Sequence, residues 1–303
     1  MAAGWLWIPL TLGAAAMQTV RTAGQKRLSE DVSDLMATLT RFLFGLPFAL
    51  VYLGALMGVF SWTPPPVGAE FITFTFIAAV SQIVGTVLLI RMFSYRNFTV
   101  GTAYARTEAF LTAVVGALFF SEVIPLPGWI AISTSIVGVV LITVARGNRV
   151  EGGLLGQLFT PIAGMGVVSG LGFALAALSL RRASLSLGDP NYLATAALTL
   201  VAVIAIETAL LGVIIAVRDR GQFAAMRGKL KIGTFIGATS MMGSVGWFTA
   251  MTLEQASYVR AFGQIEFVFA MLVSTRFFRE QYTRNELMGI ALIAASSVAL
   301  VFF

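Results

Sequence analysis

Six charged residues interrupt the apolar runs of this chain: Arg41, Arg106, Glu108, Glu207, Arg260 and Glu266. Three are cations and three are carboxylates, so they can neutralise one another. One charge at the centre of a bilayer costs about 2.5–3.5 kcal/mol on the insertion scale. Six unpaired charges would be hard to insert, so pairing is expected. Two kinds of chemistry follow. The first is structural, with ion pairs holding helices in register. Arg41, at shallow depth, and Arg260, near a helix start where it can snorkel, fit this role as structural ion pairs. The second is functional. Desolvation favours the neutral form of a carboxyl, so a buried carboxylate can take up a proton on one side of a membrane and release it on the other. Glu108 and Glu266 sit near the expected midplane, and Glu207 stands in the middle of "AVIAIETALLG". Glu122 and Glu280 fall at the ends of runs and read as interfacial.

Other chemistries lack their groups. The chain has no His and no Cys, which removes most transition-metal sites, Ser–His hydrolysis and Cys–His nucleophiles. The few Asp residues lie in polar breaks, so no intramembrane aspartyl pair is available. "GMGVVSGLG" from Gly164 lacks the spacing of a nucleotide loop and follows no strand. Gly166 and Gly170, like Gly54 and Gly58, fit small-residue helix packing instead. No enzyme, cofactor or metal is expected.

The elements that must position these charges are helices. Of 303 residues, 58% are hydrophobic and 11% charged, against about 25% charged in an ordinary soluble protein. Apolar runs recur from end to end at a length that crosses a bilayer. Ten spans are expected, at 4–25, 34–60, 71–91, 98–120, 127–145, 155–180, 192–217, 232–252, 257–278 and 286–303. The first run lacks a basic leader and a small-residue cleavage site, so it reads as a retained helix. The fold class is an all-α polytopic membrane protein.

Two stretches repeat. "AYARTEAFLTAVVGALFFSE" begins at Ala103 and "AFGQIEFVFAMLVSTRFFRE" at Ala261. A shift of 158 carries Glu108 to Glu266, Glu122 to Glu280 and Gly85 to Gly243. The chain therefore divides into 1–150 and 151–303, five helices each. An odd number of helices inverts the second copy, which gives an inverted-topology repeat. With alternating helices, fifteen Lys and Arg, from Arg21 to Arg284, fall on one side and only Arg181 and Arg182 on the other. The positive-inside rule makes the fifteen cytoplasmic and places both termini outside. A bacterial inner (plasma) membrane is the expected location. The basic pI reflects this topology signal and not nucleic-acid binding.

The same residues resemble the EamA type of the drug/metabolite transporter superfamily. "TEAFLTAVVGALFFSE" followed by "GWIAISTSIVGVVLI", and "IEFVFAMLVSTRFFRE" followed by "NELMGIALIAASSVALV", are similar to its Glu-opened helix, terminal Glu and Gly-rich next helix. "TRFLFGLPFAL" from Thr40 resembles its Arg-led second helix. Ala109 and Phe267 replace the Pro that often follows the family's Glu, and many members keep both termini in the cytoplasm. The resemblance implies ten helices around a central cavity and alternating-access transport of a small metabolite. Glu108 and Glu266 would line that cavity and bind substrate or protons, with Glu207 a comparable candidate.

Around them fall Arg106, Tyr104, Gln82, Gln264, Trp247 and Tyr258, with Gln18 at similar depth. Tyr104 shares a helix face with Glu108, whereas Gln264 points elsewhere than Glu266. Taken singly, each aromatic also fits ordinary helix packing. Such a lining suits an amino acid or a related amine or zwitterion, moved by a secondary active transporter that the carboxylates couple to protons. The alternatives are an exporter of amphipathic cations or drugs and a facilitative, channel-like uniporter. The partners are a small-molecule substrate and the bilayer, for a monomer or homodimer.

Overall fold

The computed structural model describes residues 5–92, 107–146, 161–266, 283–300 and 302. Among the described residues the secondary structure is helical, with no strand. The helices are α1 (Trp7–Leu28), α2 (Asp34–Leu43), α3 (Leu46–Phe60), α4 (Ala69–Met92), α5 (Glu108–Phe119) and α6 (Leu126–Arg146). They continue with α7 (Pro161–Ser186), α8 (Tyr192–Arg218), α9 (Gly221–Arg227), α10 (Leu230–Leu253), α11 (Ala256–Phe262) and α12 (Arg284–Leu300).

Among the described residues four stretches are long and apolar enough to cross a membrane: Asp34–Phe60, Ala69–Met92, Gly164–Ser186 and Tyr192–Arg218. Their outer faces expose Val51, Val59, Ile72, Val213 and Val217, as lipid-facing surfaces do. Helices α1 and α10, of 22 and 24 residues, have the length but not the hydropathy. Their polar residues are instead turned inward, and Arg21, Gln25, Ser240 and Ser244 are buried.

Helices pair across the two sequence halves. The most extensive contacts join α4 to α7, α6 to α12 and α1 to α10, while α8 packs on α2 and α3. Small residues permit these approaches. A Cβ on Gly172 would stand 2.8 Å from the Ser81 carbonyl oxygen and 3.0 Å from the Gly85 nitrogen. The Ser169 hydroxyl donates to the Gly85 carbonyl at 2.8 Å across the same contact. Between α1 and α10, a Cβ on Gly246 would stand 2.7 Å from the Leu10 carbonyl. The turns are tied across the halves as well. Lys229 Nζ reaches Asp31 Oδ2 at 2.7 Å, and Trp62 Nε1 donates to Asp189 Oδ2 at 2.9 Å.

Two expected spans carry breaks that the apolar pattern hides. The run 34–60 is one apolar stretch but two helices. Pro47 has no N–H to return to the Leu43 carbonyl, and the chain turns at Phe44 and Gly45. Gly237 of α10 backs this break, since a Cβ there would lie 2.5 Å from the Phe44 carbonyl carbon. The expected span from 257 begins as α11 and then tightens to a 3₁₀ turn at Gly263–Ile265. Trp247 presses on it, 2.4 Å from where a Gly263 Cβ would stand. Arg260 and Glu266 therefore flank a change of helical pitch. Tyr104, Arg106 and Glu280 lie outside the described residues.

Candidate functional site

The helices enclose a narrow polar cavity of about 50 Å³. One water needs about 10–15 Å³, so this conformation has room for a few waters. Gln18 and Arg21 of α1, Arg41 of α2, Gln82 of α4 and Glu108 of α5 line it from the first half. Phe173 of α7, Ser244 and Trp247 of α10, and Arg260 of α11 line it from the second.

Glu108 opens α5, where a carboxylate complements the positive end of the helix dipole. Its Oε1 meets Arg260 Nη1 at 2.8 Å, with the two side chains 13% and 10% exposed. The Arg260 guanidinium also lies 4.9 Å over the Trp247 ring. Arg260 owes its place to the start of α11, whose N-cap residue Gln255 makes no side-chain cap. Glu122 supplies the cap from the other half. Its carboxylate accepts from Ala256 N at 2.8 Å, from Ser257 N at 3.3 Å and from the Ser257 hydroxyl. Arg181 Nε stands 4.0 Å from the same carboxylate, and Arg181 Nη1 donates to the Met251 carbonyl at 2.5 Å and to the Glu254 carbonyl. Glu122, expected at an interface, is buried.

Glu266 is buried and accepts from Gln18 Nε2 at 2.9 Å. Glu207 is fully buried on α8. Arg41 is its charged neighbour and Gln82 is within interaction range, yet neither Glu207 oxygen has a hydrogen bond of normal geometry. Arg41 is also buried and makes no salt bridge. Its Nη1 donates to Thr86 Oγ1 at 3.3 Å, its Nε has no partner, and its guanidinium lies 4.6 Å over the Phe42 ring.

Two other expected residues stand apart from the cavity lining. Tyr258 is buried in a satellite cluster with Ala109, Ala113, Ala131 and Ile132, its hydroxyl 2.8 Å from where a Gly128 Cβ would stand. Gln264 is buried in the 3₁₀ turn. One lining residue departs from expectation. Arg21 counts among the cytoplasmic loop charges by sequence, but it lies inside α1 and is buried. The signal for it is spacing: Gln18, Arg21 and Gln25 fall at i, i+3 and i+7, one polar stripe on an otherwise apolar helix. Among the described residues no cluster of His, Cys, Asp and Glu can hold a metal ion.

No curated protein matches the chain. Among solved structures, one described as "Crystal structure of protein" is similar over 99% of this chain and 98% of its own, at TM-score 0.70 and 11% identity. At that identity the likeness is one of fold alone. Residues 5–144 match the model of the EamA-like transporter family. These residues include α1, the Arg41 helix and the Glu108 helix that build one wall of the cavity, and over them the chain is similar to the EamA-like transporter family, in keeping with its membrane-spanning apolar helices.

Proposed function

We propose that the protein is a secondary active transporter that moves a small metabolite, an amino acid or a related zwitterion, by alternating access. The observation that carries this reading is the charged cavity built jointly by both halves, with Glu108 from one paired to Arg260 from the other. A wall shared between halves can open to either side when one half rocks against the other.

The architecture in this reading is ten spans in two inverted halves, 1–150 and 151–303. The helix pairings support it. Exchanging each helix for its counterpart five spans later turns the α4–α7 pair into α10–α1, and returns α6–α12 and the contact of α8 with α2 and α3 onto themselves. Proton coupling runs through Glu108, Glu266 and Glu207. The pairing of Glu108 with Arg260 and the burial of Glu207 and Glu266 in the helix bundle support it. The location is a bacterial inner membrane with both termini outside. Removing the buried Arg21 from the fifteen cytoplasmic cations leaves fourteen against two, so the bias survives.

The test is reconstitution in liposomes with an imposed pH gradient and a panel of amino acids and amines. Saturable, counterflow-competent flux that E108Q and E266Q abolish in folded protein is expected. Non-saturable flux would indicate a channel, and unchanged flux in both variants would remove the carboxylate mechanism. A reporter fused after Phe303 reads the orientation, and a cytoplasmic signal there would reverse it.

A further inference from the structure

Arg41 and Glu207 are buried neighbours that leave each other's hydrogen-bonding capacity unused. A guanidinium carries five N–H donors in a planar fork. That of Arg41 makes one long bond, to Thr86, while its Nε has no partner. Glu207 offers two oxygens, with the Gln82 side chain close enough to engage one of them, and neither bonds to Arg41. Buried polar groups are satisfied in the great majority of cases, and a buried charge without a hydrogen-bonded partner is costly. A pair kept this way is held open for something else.

The cavity indicates what that is. Among the described residues three guanidiniums line it, Arg21, Arg41 and Arg260, against one lining carboxylate, Glu108. Arg260 is committed to Glu108 and to the Trp247 face. Arg41 lines the cavity together with Arg260, which repels it, while Glu207, outside the lining, attracts it. It also ends α2 just before the Pro47 break.

Building on the transport reading above, we propose that Arg41 is the subsite for the carboxylate of the substrate, held in competition with Glu207. A carboxylate entering the cavity meets the guanidinium fork and takes two parallel, charge-assisted hydrogen bonds. An ionised Glu207 draws Arg41 the other way and weakens that capture, whereas a protonated Glu207 releases it. Carboxylate and proton therefore bind together. The other charged groups lining the same cavity, Arg260, Glu108 and Arg21, bias the competition.

The test uses purified full-length protein and ligand-dependent thermal stabilisation, from pH 5 to pH 8, with phenylalanine, leucine and lysine. Each is supplied as free acid, methyl ester and N-acetyl acid. Free and N-acetyl acids should bind about 10–100-fold more tightly than esters. R41K, which keeps the charge but not the fork, and R41Q should lose that preference. E207Q should bind the acids at least as tightly as the parent protein and lose the rise in affinity at low pH. Saturable binding with acid and ester alike would overturn the proposal and leave the transport reading standing. Unchanged pH dependence in E207Q would overturn the competition even where the Arg41 variants fail to fold. Absence of saturable binding across the whole panel would overturn the zwitterion reading and this subsite with it.

Discussion

Replacing Arg260 by Gln separates the structural from the transport role of the cavity charges. The substitution leaves the Glu108 carboxylate in a site where it is only 13% exposed, without a guanidinium at 2.8 Å. Breaking a fully buried pair costs roughly 3–5 kcal/mol, and the residual exposure here discounts that to about 2–3 kcal/mol. Losing the stack on Trp247 adds about 0.5–1 kcal/mol. E108Q leaves that stack in place, so it should cost less than R260Q. The double variant E108Q/R260Q removes both charges and should recover most of the pair's share, giving a coupling energy of about 1–3 kcal/mol in a double-mutant cycle. On the scale of soluble domains of about 200 residues, each kcal/mol moves the melting midpoint by about 2–4 °C. R260Q should therefore melt about 5–16 °C lower and the double variant only a few degrees lower. The assay is thermal unfolding of purified protein in one detergent, followed by flux in liposomes. The double variant should be nearly as stable as the parent and inactive. Single variants within about 1 °C of the parent, or an active double variant, would refute the claim that this contact both costs stability to break and serves transport.

Two further outcomes follow from contacts outside the cavity. E122A removes a cap worth about 0.5–2 kcal/mol and strands buried N–H groups of Ala256 and Ser257; E122Q keeps one acceptor and should lose less. Both should weaken substrate flux through displacement of Arg260, and hydrogen exchange should rise first at the start of α11. The Lys229 hydrogen bond, reinforced by that ammonium's charge, holds the Asp31 carboxyl below its usual range. A lowered folded value means the tie contributes above the unfolded value near 3.8 and is lost as pH falls through the folded one. Cross-linking between the α1–α2 turn and the start of α10 should therefore persist at pH 5 and fade below about pH 4, and D31N should abolish the step.

Much of the fold is legible in sequence because the bilayer imposes a length and an apolar composition that few other contexts require. The four clearest spans are read from those properties alone. The interruptions were less legible. Pro47 is visible in the chain, but whether it kinks or ends a helix depends on Gly237, a residue distant in sequence that fills the gap. The 3₁₀ turn at Gly263 likewise depends on Trp247 arriving from another helix. Charge in an apolar run is sufficient to single out Glu108, Arg260, Glu207, Arg41 and Glu266 as charges enclosed by the helices. It could not pair them, because partner choice follows helix adjacency. Arg21 is hard to place from sequence because it adjoins the basic residues Lys26 and Arg27, and only its spacing from Gln18 and Gln25 marks it as inward-facing. The burial of Glu122 is not legible in sequence because its partners, Ala256 N and Ser257, carry no charge pattern.

The close Gly-mediated contacts of α4 with α7 and of α1 with α10 run between the halves, and this has a consequence for biogenesis. When the ribosome has finished residue 150, helices α1 and α4 are in the bilayer with their small-residue grooves facing lipid, because α10 and α7 have not been made. At about 5–20 residues per second the wait for α10 lasts several seconds or more. During that interval the nascent half holds Arg21, Arg41 and Glu108 with no opposite wall. A chain severed between α6 and α7 should thus yield two fragments that are each short-lived alone and that rescue one another when made in the same cell.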